Sequence, residues 1–276
     1  MLSIIVSSYQ TNYFNQFSNS VKETIGEDFD YEIIQMWNPG TIGICEAYNK
    51  GVENSKYDNL LFIHEDVVFE TNNWGNILIK YLRDINIGCI GIAGSDYVPN
   101  CPSGWHVDKK YMFRNIIQSN KQKEDLGIKK TENKQVYSLD GVFIAITKIK
   151  YNLFKFNENL KGFHGYDIDF SIRVSEKFKN YVISDITLIH YSTGGFTKDL
   201  VQARIIARKN YKIPSNQIND KAIENKALSI FIDDMKRSNF IKKEILINLI
   251  SYINPYKIGF TGFLYNLKKC INIIVK

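Results

Sequence analysis

The sequence predicts an α/β fold with a mostly parallel central sheet, helices on both faces of it, and a helical C-terminal extension. Two observations carry this. Over the first 95 residues, apolar β-branched runs alternate with stretches whose apolar residues recur every three to four positions. That βαβαβαβ rhythm is the pattern of parallel strands joined by helical crossovers. Beyond Pro214, by contrast, the pattern is helical throughout.

Leu2 to Ser7 is the first strand, ended by polar Ser8-Tyr9-Gln10. Phe14, Phe17, Val21 and Ile25 mark one face of a helix. Tyr31 to Met36 is a second strand, stopped by the strong turn signal Asn38-Pro39-Gly40. Ile44, Ala47, Tyr48 and Val52 give the next helix its apolar face, and Leu60 to Ile63 is a third strand. Trp74 to Leu82 predicts helix and Ile87 to Ala93 a fourth strand. From 95 to 135 the rhythm breaks at Pro99, Pro102 and Gly104 and through the charged stretch Lys121 to Lys134. An irregular insertion is expected there, either a binding loop or lid or, for Lys121 to Lys134, a plain surface loop. Trp105, Tyr111 and Phe113 need somewhere to pack. Val136 to Ile146 resumes as strand, Asp169 to Phe178 as helix, Tyr181 to Ile189 as strand and Leu200 to Asn210 as helix. The expected division is a domain over 1–212 and a helical extension over 213–276.

At 44% hydrophobic and 23% charged, the 276 residues have a globular composition. The four cysteines (45, 89, 101 and 270) show neither CxxC pairing nor zinc-ligand spacing, which suits a reducing cytoplasm. No leader-like segment opens the sequence. No apolar run reaches the roughly 18 residues of a spanning helix. Charge is uneven: eight of the 35 Lys and Arg, but one of the 29 acids, lie between Lys236 and Lys276. The body is close to neutral, which argues against a nucleic-acid groove.

Three separated segments carry chemistry. His64-Glu65-Asp66 follows the apolar run Leu60 to Ile63. Acids at the C-terminal end of a buried strand point into the crevice where α/β sheets bind ligands, and Asp66 could hold a divalent cation there or simply sit in a solvated turn. Gly162 to Arg173 places His164, Gly165, Tyr166, Asp167 and Asp169 at a glycine-rich helix start. These acids either complement the helix dipole or divide into a general base and a group anchoring the loop or a substrate hydroxyl. His190 ends a strand before Tyr191-Ser192-Thr193-Gly194-Gly195. It is either a structural histidine or a further ligand beside Asp66, and the following loop could offer N–H groups to phosphate. Asp140, beside Gly141 in an apolar run, needs a partner if buried.

Taken in order, Ser7-Ser8-Tyr9-Gln10, Gly43-Ile44-Cys45-Glu46-Ala47-Tyr48-Asn49-Lys50-Gly51, Phe62 to Asp66 and Tyr166 to Arg173 resemble the GT-A glycosyltransferases, specifically glycosyltransferase family 2. The resemblance covers roughly residues 1 to 200. It implies a GT-A, Rossmann-like catalytic domain, with Asp167 as the catalytic base and a divalent cation (Mn²⁺ or Mg²⁺) on Asp66 and His190. It implies a nucleotide-sugar site drawn from Ser8, Tyr9, Asn38, Asn49, Glu65, Asp140, Gly141, His164 and Asp169. The donor it implies is a UDP-sugar and the acceptor a glycan or lipid-linked saccharide, with inversion at the anomeric carbon. The sequence departs from the family pattern at His64, where the first acid of the metal motif is usual, at Tyr166 for Glu, at Tyr48 for Arg, and around Trp37-Asn38-Pro39. A nucleotide-sugar binder without turnover and a metal-dependent phosphohydrolase are the competing expectations.

Residues 240–275 mix lysines with apolar residues (Ile245, Leu246, Ile247, Leu249, Ile250 and Ile253, then Phe260, Phe263, Leu264 and Leu267), interrupted by Pro255, in the manner of basic amphipathic helices. Such helices either lie on an anionic membrane surface, making the protein peripheral at the inner face, or pack on the domain or a second subunit.

Overall fold

The computed structural model describes residues 1–119, 124–126, 132–192 and 195–275. In chain order its first elements are β1 (Leu2–Ser8), α1 (Thr11–Thr24), β2 (Tyr31–Trp37), α2 (Ile44–Glu53), β3 (Asn59–His64), β4 (Val67–Phe69), α3 (Trp74–Leu82) and β5 (Ile87–Gly91). Short strands follow: β6 (Ala93–Ser95), β7 (Met112–Arg114), β8 (Ile116–Ser119), β9 (Glu124–Leu126), β10 (Lys134–Val136) and β11 (Ser138–Leu139). Then come β12 (Phe143–Thr147), α4 (Lys148–Phe154), α5 (Tyr166–Ser175), β13 (Lys179–Val182) and β14 (Leu188–His190). The chain closes with α6 (Lys198–Ala207), α7 (Lys221–Arg237), α8 (Lys242–Tyr252) and α9 (Pro255–Val275), the last broken at Gly259, whose φ is +75°.

The central sheet has the order β10-β13-β5-β12-β3-β1-β2. Its β3-β1-β2 half is parallel, as the crossover helices require, and so is the β13–β5 pair. Between them β12 runs antiparallel to both β3 and β5. Strand alternation sorts the core into two layers. Leu2, Ile4, Val6, Leu61 and Ile63 face α1 and α3 through Phe17, Val21, Trp74 and Leu78. Ile5, Leu60 and Phe62 face α2 and α5 through Tyr48, Val52, Phe170 and Ile172. This is the predicted arrangement of helices on both faces.

The stretch expected to be irregular carries order of its own. β6 pairs with β7 and β11, and β8 joins β14 and β4 in a small second sheet. The expectation for Lys121 to Lys134 falls largely on 120–123 and 127–131, outside the described residues. The Tyr181 to Ile189 run divides between sheets, β13 in the central one and β14 in the small one. A third apolar cluster joins Tyr97, Cys101 and Val107 to Val201 and to Ile223, Phe231, Leu249 and Ile258 of the C-terminal helices. All four cysteines are buried and free. Among the described residues, no helix is long and apolar enough to cross a membrane.

Candidate active site

β3 and β4 are separated by only Glu65 and Asp66, so Asp66 sits in a tight turn at the C-terminal end of β3. β14 runs antiparallel to β4 with His190 opposite Val67, and Tyr191 donates its N–H to the Asp66 carbonyl at 2.9 Å. That register brings together residues 124 positions apart. His190 Nε2 lies 3.3 Å from Asp66 Oδ1, and His64 Nδ1 lies 3.9 Å from the same oxygen. Single ligand atoms of His64, Asp66 and His190 all fall within 4.8 Å of one another. Each histidine has an outer partner on its remote nitrogen: Tyr166 Oη is 2.9 Å from His64 Nε2, and Gln118 Oε1 is 3.3 Å from His190 Nδ1. His190 Nε2 is buried with no hydrogen-bond partner among the described residues. A buried ring nitrogen that makes no hydrogen bond, close to a carboxylate and a second imidazole, completes a nitrogen-and-oxygen donor set of the kind a divalent transition ion takes. The residues fit a cation.

The second half of the site comes from α5 and the turn before β12. Gly165 precedes α5 with φ +76°, and a Cβ there would press on the backbone of Ala203 in α6. The close approach and left-handed conformation both call for glycine. One residue into α5, Asp167 Oδ2 accepts the Gly141 N–H at 3.2 Å. Burial first, and the Asp140 carboxylate second, push the Asp167 carboxyl up to about 7. Asp140 itself accepts from Val142 N–H at 2.8 Å, which answers the need of an acid in an apolar run. Gly141 is constrained by its neighbour, since a Cβ would collide with the Tyr166 hydroxyl.

A cleft of about 510 Å³ is lined by Ser7, Tyr9, Gln10, Asn38, Pro39, Gly40, Ile44, His64, Glu65, Asp66, Phe163, His164 and Ser192. A smaller pocket of about 180 Å³ adjoins it, sharing His64, Phe163 and His164 and adding Asp140, Gly141, Asp167, Trp105, His106 and Arg204. Most of the residues expected from sequence thus converge: Tyr9, Asn38, Glu65, Asp66 and His164 line the cleft, Asp140, Gly141 and Asp167 the pocket, and His190 lies behind Asp66.

Three expected residues are directed elsewhere by their side chains. Ser8 is fully buried and accepts from Gln35 Nε2 at 3.0 Å; the strand's alternation turns Ser7 into the cleft in its place. Asn49 lies outside the cleft lining, where it latches α2 to the chain after α4: it donates to Phe156 O (3.0 Å) and Glu158 Oε1 (2.8 Å) and accepts from Tyr151 Oη and Phe156 N–H. Asp169 is wholly buried; its oxygens take Arg173 Nε and Nη2 at 2.9 and 2.7 Å and Asn210 Nδ2 at 2.7 Å. It therefore takes the loop-anchoring alternative.

Two cleft residues also have structural duties. Glu65 accepts the N–H groups of Tyr9 and Gln10 at 3.1 to 3.3 Å, fixing the loop after β1. Asn38 bonds both ways with Ile42, holding the loop after β2. Sequence reasoning left His64 undecided and missed Ser7, His106 and Arg204. The period of two sets Ser7 and Ser8 on opposite faces of β1, and which face meets the cleft is a tertiary fact. Arg204, held 3.2 Å from Asp234, had no local signal. Thr193 and Gly194 of the loop after His190 lie outside the described residues.

The model of a family described as glycosyltransferase like family matches residues 3–213. Among solved structures, S. aureus TarS (residues 1–349) superposes with a TM-score of 0.57 at 13% identity, covering 99% of this chain and 88% of that one. The same protein in complex with UDP gives 0.58 at 14% identity, with the same coverage of both chains. GalNAc-T7 with UDP, GalNAc and Mn²⁺ gives 0.54 at 10% identity, covering 98% of this chain and 57% of that one. These likenesses establish the GT-A fold. A comparison with curated proteins gives no match.

Proposed function

Because the chain belongs to the glycosyltransferase like family, we propose that it is an inverting, metal-dependent glycosyltransferase. In this reading it moves a sugar from a nucleoside-diphosphate donor to a saccharide or lipid-linked acceptor in surface-glycan synthesis. One observation carries the proposal: a three-ligand cluster (His64, Asp66, His190), whose His64 and Asp66 line the larger of two adjoining cavities, stands beside a carboxylate with a raised pKa (Asp167) in the smaller one. A cation held by such a cluster can neutralise a leaving diphosphate and a base can take the hydroxyl proton, two tasks that sugar transfer with inversion has to meet.

The donor lies in the larger cleft, its nucleotide against the loops after β1 and β2 that Glu65 and Asn38 brace. UDP in the TarS and GalNAc-T7 structures supports a uridine donor. Asp66, His64 and His190 hold the cation; when bound, it supplies positive charge to the leaving diphosphate. The acceptor enters the smaller pocket. Asp167 takes the proton of the acceptor hydroxyl as that oxygen bonds to the anomeric carbon. The bond from that carbon to the diphosphate oxygen breaks on the opposite side, and configuration inverts. The Gly141 N–H holds the carboxylate in place, and Asp140 borders the transferred sugar.

The domain division at residue 212 belongs to this reading, as does a membrane-facing extension. The exposed apolar side chains Ile247, Ile250, Phe260 and Leu264 lie in sequence among Lys242, Lys243, Lys257 and Lys268, a composition that suits contact with anionic lipid.

The test is a nucleotide-sugar panel read by thermal shift with and without Mn²⁺. We expect stabilisation by one donor class, dependent on the metal, followed by transfer to a saccharide acceptor. Donor stabilisation that persists unchanged in excess chelator would reject the metal role. Nucleotide release with no sugar transfer to any acceptor would point to a phosphohydrolase.

A further inference from the structure

Two of the departures from the family pattern, His64 and Tyr166, touch each other. They lie 102 residues apart and meet at 2.9 Å between His64 Nε2 and the Tyr166 hydroxyl. The surroundings keep that hydroxyl in place. The Tyr166 ring is buried against Tyr48 and Phe156, and Gly141 leaves no Cβ where the hydroxyl sits. The 3.9 Å from His64 Nδ1 to Asp66 Oδ1 is too long for a hydrogen bond, so the carboxylate gives an Nδ1 proton no acceptor. With Nε2–H donating to Tyr166, the Nδ1 lone pair faces the cluster. Gln118 offers His190 the matching acceptor: its side-chain oxygen lies 3.3 Å from Nδ1. The buried Nε2, 3.3 Å from Asp66 Oδ1, makes no hydrogen bond among the described residues and is left to the cluster once Nδ1–H donates to Gln118. Gln118 is itself anchored, donating to Ser192 O at 2.7 Å.

We propose that Tyr166 and Gln118 are positioning residues that fix both imidazoles as nitrogen ligands, and that the resulting two-imidazole, one-carboxylate site selects a transition-metal dication such as Mn²⁺ over Mg²⁺. This rests on the metal reading given above and deepens it. Mg²⁺ favours oxygen ligands in near-octahedral geometry, whereas imidazole suits first-row transition ions. Hydrogen-bond partners on the remote nitrogen of a ligating histidine set its tautomer and orientation, and their loss costs roughly 10- to 100-fold in metal affinity.

The experiment follows Mn²⁺ binding to the intact protein by loss of the free-ion EPR signal, with and without UDP, using Mg²⁺ as competitor. Tyr166→Phe keeps the buried ring and removes only the hydroxyl; Gln118→Leu removes the second partner independently. Both variants are first matched to wild type by thermal melting. Wild type should bind Mn²⁺ and resist equimolar Mg²⁺. Each variant should bind Mn²⁺ about tenfold or more weakly, with a narrower preference over Mg²⁺. Wild-type binding with unchanged affinity in both variants overturns the positioning role alone. Ready displacement of Mn²⁺ by equimolar Mg²⁺ overturns the selectivity. Absence of Mn²⁺ binding to wild type in either condition overturns both this inference and the metal reading beneath it.

Discussion

The raised carboxyl of Asp167 makes a pH profile the sharpest test of the proposed base. Burial and the Asp140 charge place it at about 7. A base must be ionised to act, so the rate rises with pH through that value. The ionised share of a group at about 7 goes from about a tenth at pH 6 to about nine-tenths at pH 8, an approximately tenfold increase in kcat/KM. A bound dication lowers the midpoint, so the informative comparison holds metal and donor fixed and replaces Asp140 by Asn. Loss of that charge should move the acid limb toward lower pH by roughly one unit, about 1.4 kcal/mol of repulsion removed. The assay is sugar transfer from the donor found in the panel, at subsaturating acceptor, across the neutral range. A limb that stays in place in Asp140→Asn would refute the electrostatic argument. A flat wild-type profile would remove Asp167 as the titrating base. Stability carries the opposite sign. Between the ordinary carboxylate value and about 7, folded Asp167 holds a proton that the unfolded chain has lost, so this group's contribution to stability falls as pH rises through that window.

Asp167→Asn should lower transfer by about 10²- to 10⁴-fold while donor binding, read by thermal shift, survives; wild-type turnover would remove the assignment. Asp169→Ala leaves Arg173 without its buried carboxylate, a loss of roughly 3–5 kcal/mol. Melting should drop by roughly 6–20 °C at about 2–4 °C per kcal/mol, and an unchanged melt with selective loss of donor binding would return Asp169 to the nucleotide site. Ile250→Ser with Phe260→Ser, at positions 74% and 69% exposed, should abolish sedimentation with anionic vesicles and leave melting unchanged. Equal sedimentation of wild type and variant would reject the lipid face. Point substitutions are required because Leu249 and Ile258 belong to the third core, and truncation of the extension would uncover it.

The layered core was legible because strand alternation and helical spacing are local signals. Leu60 to Ile63 and the apolar face of α2 declare their burial without reference to distant residues. The antiparallel insertion of β12 between β5 and β3 was not legible, since nothing within Phe143–Thr147 specifies the direction of its neighbours. The site divides along the same line. Asp66 and Asp167 stand in motifs whose order is readable, and they reach adjoining cavities. Ser8 and Ser7 could be exchanged only by settling which face of β1 looks into the cleft. Asn49 and Asp169 looked like site residues because their motifs contain them. Their hydrogen bonds to Phe156, Glu158, Arg173 and Asn210 are tertiary facts.

The segment between β5 and β10 shows why an apparent insertion belongs to the site. β8 is parallel to β14 with Gln118 opposite His190, so the strand that orients one candidate ligand comes from the stretch where the sequence rhythm fails. Trp105 and His106 of the same stretch line the smaller pocket with Arg204 of α6. Arg204 is tied to Asp234 of α7, and α7 packs through the third core onto Tyr97 and Cys101. The extension and the insertion therefore form one packed unit that reaches the pocket beside Asp167. In the proposed reading, acceptor choice resides in this unit and donor chemistry in the β1–β3 half. Substitutions in the Arg204–Asp234 pair should accordingly change acceptor KM with donor binding intact. A matching loss of donor affinity would show that the two halves are not separable in this way.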